Sequence, residues 1–85
     1  MAQYKVVVRK SLSKDLKKVP KKDVERILDA IRRLGDNPRP PQSKKLSGEE
    51  KYRLRLGKYR VLYEIHDKEL IVCVVKAKHR KDAYK

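Results

Sequence analysis

Arg53, Arg55 and Arg60 are spaced so that one face of a β-hairpin would gather all three guanidiniums. They lie in YRLRLGKYRVLYEIH, Tyr52 to His66. Before Gly57-Lys58, Tyr52, Leu54 and Leu56 alternate with Arg53 and Arg55. After it, Tyr59, Val61, Tyr63 and Ile65 alternate with Arg60, Leu62, Glu64 and His66. That period of two is the pattern of a half-buried strand. Two such runs around a Gly-X pair predict a hairpin with a type II′ turn. The implied register sets Leu56 opposite Tyr59, Arg55 opposite Arg60, Leu54 opposite Val61 and Arg53 opposite Leu62. Like charges directly opposite each other destabilise a sheet. Such a face suits an anion that neutralises it. The plainer reading is a solvated face whose arginine stems cover apolar surface.

Further basic residues follow in the tail KAKHRKDAYK: Lys76, Lys78, His79, Arg80 and Lys81, with Tyr84 near the end. Metal-free RNA cleavage needs a ribose 2′-OH activated, a more negative phosphorane-like transition state stabilised, and the 5′-oxygen helped to leave. Fixed guanidiniums meet the second need. Tyr84 could serve as base if nearby cations lower its pKa, and His79 could shuttle a proton. Arg80 stays protonated, so charge stabilisation is its plausible task. Each has a plainer reading too: Tyr84 as a cap over the sheet edge, His79 as a surface histidine, Arg80 and Lys81 as an ordinary basic tail. Tyr52, Tyr59 and Tyr63 fall on the opposite parity from the arginines, which favours core packing over base stacking.

The 85 residues carry 25 Lys plus Arg against 11 Asp plus Glu, a formal charge of +14. That imbalance attracts polyanions, nucleic acid above all. Apolar residues make up 39% and recur periodically, which predicts one folded domain, 1–85, and not a disordered basic tail. A core this small is marginal alone, so a binding partner would help it. The single cysteine, Cys73, allows no intramolecular disulfide and is expected to be a small buried hydrophobe. The sequence shows no Gly-rich phosphate loop, no HExxH and no metal-ligand spacing, so neither a metal nor another cofactor is expected. With no long apolar N-terminal region and no apolar run of about 18 residues, the expectation is a cytoplasmic protein with no membrane contact.

The elements that must position these groups are legible in outline. Tyr4 to Arg9 reads as a strand. Ser11 or Ser13 would cap a short helix with Leu12, Leu16 and Val19 on one face. Pro20 suits the start of the next helix, Lys21 to Leu34, which has an apolar stripe of Val24, Ile27, Leu28, Ile31 and Leu34. Gly35 falls at the usual C′ position. Asn37 to Gly48 reads as a loop whose Arg39, Lys44 and Lys45 could touch a nucleic-acid backbone. The hairpin follows, then a turn at Asp67-Lys68 and a strand from Leu70 to Val75, apolar on both faces. The expected fold is α+β, in the order β-α-α-β-β-β. A two-helix hairpin covers one face of a four-stranded sheet made of the N-terminal strand and a three-stranded antiparallel meander. Leu54, Leu56, Tyr59, Val61, Tyr63, Ile65, Leu70, Val72 and Val74 should face the helices. The tail can fold back over the arginine face.

In combination, KKLSG (Lys44 to Gly48), YRLRLGKYRVLYEI (Tyr52 to Ile65), LIVCVV and HRKDAY (His79 to Tyr84) resemble the RelE/ParE superfamily of toxins from toxin–antitoxin modules, RelE-type mRNA interferases in particular. The resemblance spans essentially the whole chain and implies a RelE-like fold. It implies a ribosome-dependent endoribonuclease that cuts mRNA in the A site, and a cognate antitoxin as partner. By motif position it implies Arg53, Arg55, Arg60, Arg80 and Tyr84 as the catalytic set; Lys44, Lys45, Lys78, His79 and Lys81 are the further residues expected on the RNA. Where such toxins often have lysines on the second strand, this chain has Arg53 and Arg55, which cannot readily give up a proton. The rival readings are a ParE-like toxin that inhibits DNA gyrase without cutting RNA, and a plain RNA-binding module.

Overall fold

The structure, a computed structural model, describes residues 3–46 and 51–79. Its elements are β1 (Lys5–Val8), α1 (Lys10–Leu16), α2 (Lys21–Arg33), β2 (Ser43–Lys45), β3 (Lys51–Leu56), β4 (Tyr59–His66) and β5 (Ile71–His79). The strands form one sheet in the order β1-β5-β4-β3-β2. β3, β4 and β5 are the antiparallel meander, and β1 lies parallel to β5. The sheet has five strands where four were expected. The extra one, β2, pairs antiparallel with β3. Ser-Lys-Lys carries no apolar alternation. It is held as a strand by the free edge of β3.

The hairpin register is the one that the turn dictates: Arg53 opposite Leu62, Leu54 opposite Val61, Arg55 opposite Arg60 and Leu56 opposite Tyr59. Gly57 has φ 55°, and among the described non-glycine residues only Leu70 (54°) also has positive φ. Lys58 is therefore not left-handed, which fits a type II′ turn and not a type I′.

Both helices press one apolar stripe onto one face of the sheet. Leu12, Ile27, Ile31 and Leu34 pack with Leu54, Val61, Tyr63, Ile65, Val72 and Val74. Leu56 is only partly buried against this cluster. Leu70, expected inside, is 40% exposed because it sits in the left-handed corner of the turn, with its N–H donating to the Asp67 carbonyl at 3.3 Å. β5 also runs on to His79 instead of ending at Val75, since β4 offers it partners as far as Tyr59.

A bulge interrupts the β4–β5 ladder: Tyr63 pairs with Val74, Leu62 with Lys76, and Val75 is the extra residue. The bulge shifts the parity of β5. Val72 and Val74 point to the core before it, and Ala77 (5% exposed) does so after it. Ser11 serves this bulge and caps nothing. It lies inside α1, whose N-cap position is Arg9, and its Oγ donates to the Val75 carbonyl at 2.5 Å. Gly35 is not left-handed either. Its carbonyl accepts from the Tyr4 N–H at 2.8 Å, and a Cβ there would lie 3.1 Å from the Tyr4 oxygen. Close approach of β1 to the end of α2 is what requires glycine at this position.

Candidate functional site

The register builds two rows across the face turned away from the helices. One runs Lys44, Arg53, Leu62, Lys76; the other runs Arg55, Arg60, Lys78. The bulge brings Lys76 and Lys78 into these rows, because without it β5 would present the opposite parity here. Cβ atoms of directly opposed residues lie about 5 Å apart. Arg55 and Arg60 are thus forced together by the backbone. Arg55 is exposed and Arg53 half-buried, whereas Arg60 is only 4% exposed. Arg53, Arg60 and Lys78 line a depression of about 130 Å³ with Leu46 and Leu62. Its cationic walls and apolar sides suit a single phosphate group lifted partly out of water.

Other arginines have structural duties. Arg33 pairs with Asp29 at 3.1 Å along α2, and Arg9 lies 3.8 Å from Glu64. Arg39, one of the loop cations expected to face a nucleic acid, instead clamps a carboxylate of the protein itself at the surface. Its guanidinium donates to both Asp67 oxygens (2.9 and 3.4 Å) and to the Tyr52 hydroxyl at 3.0 Å. It also lies 5.3 Å from the Tyr52 ring centre. Asp67 accepts a further bond from the Tyr4 hydroxyl at 2.6 Å. The hydrogen bonds from Arg39 and then Tyr4 hold the Asp67 carboxyl below its usual range. The same clamp raises Arg39, chiefly through Asp67. Together these contacts pin the loop before β2 and so set where Lys44 stands. Lys44, Arg53 and Arg55 make no ion pair with a described residue.

The tyrosines pack on the core side, as their parity requires. Tyr52 and Tyr63 stack with ring centres 5.7 Å apart. The Tyr63 hydroxyl donates to the Pro38 carbonyl at 2.7 Å. Tyr59 donates to Asp23 at 3.0 Å, and burial, then that bond, pushes its pKa up.

His79 departs from expectation. It pairs with Tyr59 and meets that ring edge-on at 5.5 Å. It lines a groove with Asp15, Val19 and Pro20, on the helix side of the sheet. The bulge that sends Lys78 to the arginine face sends His79 away from it. Lys45 lies in register with Tyr52, on the parity opposite to Lys44 and Arg53. Cys73 is half-buried, and its sulfur accepts from Arg9 Nε at 3.3 Å. Arg80, Lys81 and Tyr84, and the expected fold-back of the tail, lie outside the described residues.

One cation near this face had no signal in the sequence. Arg26 of α2 shares a groove of about 680 Å³ with Lys44, Arg53 and Arg55. On a helix rich in lysine and arginine, nothing singles it out before the fold brings it round the β2 side of the sheet.

The family described as the ParE toxin of type II toxin–antitoxin systems matches residues 6–84, and this chain belongs to it. Within that family it is a RelE-type toxin. The RelE1 protein of Methanocaldococcus jannaschii is 34% identical over 98% of this chain and 97% of its own length. The structure of an archaeal RelE–RelB complex from Pyrococcus horikoshii OT3 superposes with a TM-score of 0.82 at 34% identity, covering 94% of this chain and 97% of that one. That of the toxin–antitoxin complex RelBE2 from Mycobacterium tuberculosis gives 0.80 at 28% identity, covering 92% and 99%.

Proposed function

We propose that this toxin is an endoribonuclease that acts on the ribosome, cutting mRNA in the A site. The ribose 2′-OH attacks the adjacent phosphorus, the bond to the 5′-oxygen breaks, and a 2′,3′-cyclic phosphate and a 5′-hydroxyl result. The observation that supports this most is the cross-strand Arg55–Arg60 pair, extended by Arg53 and Lys78 on the same face. A sheet that holds Arg55 and Arg60 in register suits a transition state more negative than its substrate. In this reading Arg53, Arg55 and Arg60, joined by Arg80, hold the scissile phosphate, so charge that other nucleases draw from a metal comes from guanidiniums. Lys44 and Lys78 hold the strand, with Lys45 and Lys81 as outer contacts. Arginines do not exchange protons readily, and His79 faces the helices. Tyr84 or a ribosomal group is then left to take the 2′-OH proton.

Positioning the 2′-OH for in-line attack contributes several kcal/mol, and the described face shows no group for it. The ribosome therefore supplies the alignment, and naked RNA is a poor substrate. The P. horikoshii and M. tuberculosis relatives were crystallised with antitoxins. Those complexes support a cognate antitoxin for this chain; a cytoplasmic site of action beside the ribosome is part of the nuclease reading itself. No helix among the described residues is long and apolar enough to cross a membrane.

Two parallel arms test this reading. Purified toxin is added to ribosomes programmed with a defined mRNA, and separately to a DNA gyrase supercoiling assay. Cleavage in the A-site codon with gyrase untouched supports it. Gyrase inhibition with intact mRNA overturns it in favour of a ParE-like poison. Binding to RNA without either effect would leave a plain RNA-binding module.

A further inference from the structure

Two grooves of similar size flank α2, and their charges differ. One, of about 650 Å³, mixes Lys22, Arg26 and Arg33 with Asp23 and Asp29. The other, of about 680 Å³, is lined by Arg26, Lys44, Arg53 and Arg55, with no carboxylate among the described residues. None of these four cations pairs with a carboxylate of the described residues, although Arg33, about two helical turns from Arg26, does. Elements far apart in sequence thus converge four cations on one channel, none paired among the described residues, and Pro41 and Gln42 line it too. Arg53 lines both this channel and the Arg60 depression.

Residues two apart on a strand are separated by about 6.7 Å. Arg53 and Arg55 therefore meet a bound polyanion at different points along its length. Lys44 stands opposite Arg53, at the β2 edge of the sheet away from Lys78, and Arg26 lines the same groove. Among the described residues, those that line the channel are cationic, polar or aliphatic, and none is aromatic. Its chemistry is that of a backbone-tracking groove, reading charge and not sequence.

We propose that this channel binds a phosphate of the mRNA next to the one that is cut, with Arg26 as a ligand alongside Lys44. The inference rests on the nuclease reading above and extends it to the path of the strand. Arg26 then contributes to holding substrate and not to the chemical step.

The test uses programmed ribosomes and mRNAs in which one linkage flanking the cut, on either side in turn, is a neutral methylphosphonate. Wild-type toxin should lose about fivefold in KM on one of these mRNAs, the upper range for an exposed ion pair, with kcat little changed. Arg26→Gln should show part of that loss on all-phosphate mRNA and should match wild type on the neutral one. Arg33→Gln, on the same helix, should behave as wild type. Thermal unfolding of Arg26→Gln should match wild type, since the side chain is exposed and unpaired among the described residues. Wild-type kinetics for Arg26→Gln, or a loss that adds in full to that of the neutral linkage, would overturn the proposal; the second result would place Arg26 on a ribosomal phosphate. Should wild-type toxin cut nothing, the nuclease reading fails separately. The channel is then judged by equilibrium binding to single-stranded RNA. There Arg26→Gln should lower the slope of log affinity against log salt by about 0.7, and an unchanged slope overturns it.

Discussion

Replacing Arg55 by threonine should make the protein more stable and less active at once. Arg55 lies directly opposite Arg60 on the open face, with no carboxylate partner among the described residues. Two unit charges about 7 Å apart in water repel by ~0.6 kcal/mol. That agrees with the range of about 0.2–1 kcal/mol for directly opposed strand residues. Threonine keeps the strand preference and removes the repulsion. For a chain of 85 residues, ~0.5 kcal/mol corresponds to a rise in Tm of about 3 °C. The gap should narrow in ~1 M salt, where the Debye length is about 3 Å. Cleavage should fall by about 10²-fold if Arg55 stabilises transition-state charge as an oxyanion-hole donor does. Circular-dichroism melts at low and high salt, with single-turnover cleavage on programmed ribosomes, measure both. A variant that melts lower than wild type and cuts equally fast would refute the claim that this face trades stability for function.

Asp67→Asn should weaken the fold in a pH-dependent way. The native carboxyl titrates below its unfolded value of about 3.9. Its contribution is therefore complete above that value and is lost as pH falls through the lower native one. Urea midpoints of wild type and variant should differ at neutral pH and converge under strong acid. A constant difference would show that the Arg39 clamp does not depend on charge. Gly35→Ala should cost about 1–2 kcal/mol, because the new Cβ meets the Tyr4 oxygen at 3.1 Å and Val6 Cγ2 at 3.3 Å; an unchanged melt would mean that β1 yields freely. Tyr84→Phe should slow cleavage with ribosome binding nearly unchanged, and should flatten the rise of rate with pH. A wild-type rate in that variant would leave the proton to a ribosomal group.

The hairpin and its arginine pair were legible because a two-residue turn with glycine first fixes the register, and the register fixes the face. The bulge at Val75 was not legible, because an extra apolar β-branched residue in Leu70–Val75 fits either face of a central strand. That one insertion moves Lys78 onto the arginine face and His79 off it. β2 left no trace, since Ser43-Lys44-Lys45 has neither apolar alternation nor β-branched residues. Arg39 and Arg53 are the same residue type in similarly basic surroundings. What separates them is Asp67, distant in sequence and brought to Arg39 only by the fold. Arg26 joins the site for a similar reason: its neighbours in space come from β2 and β3.

The most direct test of the central claim removes one oxygen atom from the substrate. Ribosomes are programmed with an mRNA whose A-site codon carries a single 2′-deoxy nucleotide at the position that wild-type toxin cuts in the all-ribose message. Attack by the 2′-OH predicts clean cleavage of the all-ribose mRNA, ending in a 2′,3′-cyclic phosphate, and no cut at the deoxy position. Cleavage that persists at that position, or an all-ribose mRNA that stays intact on the ribosome, would contradict it.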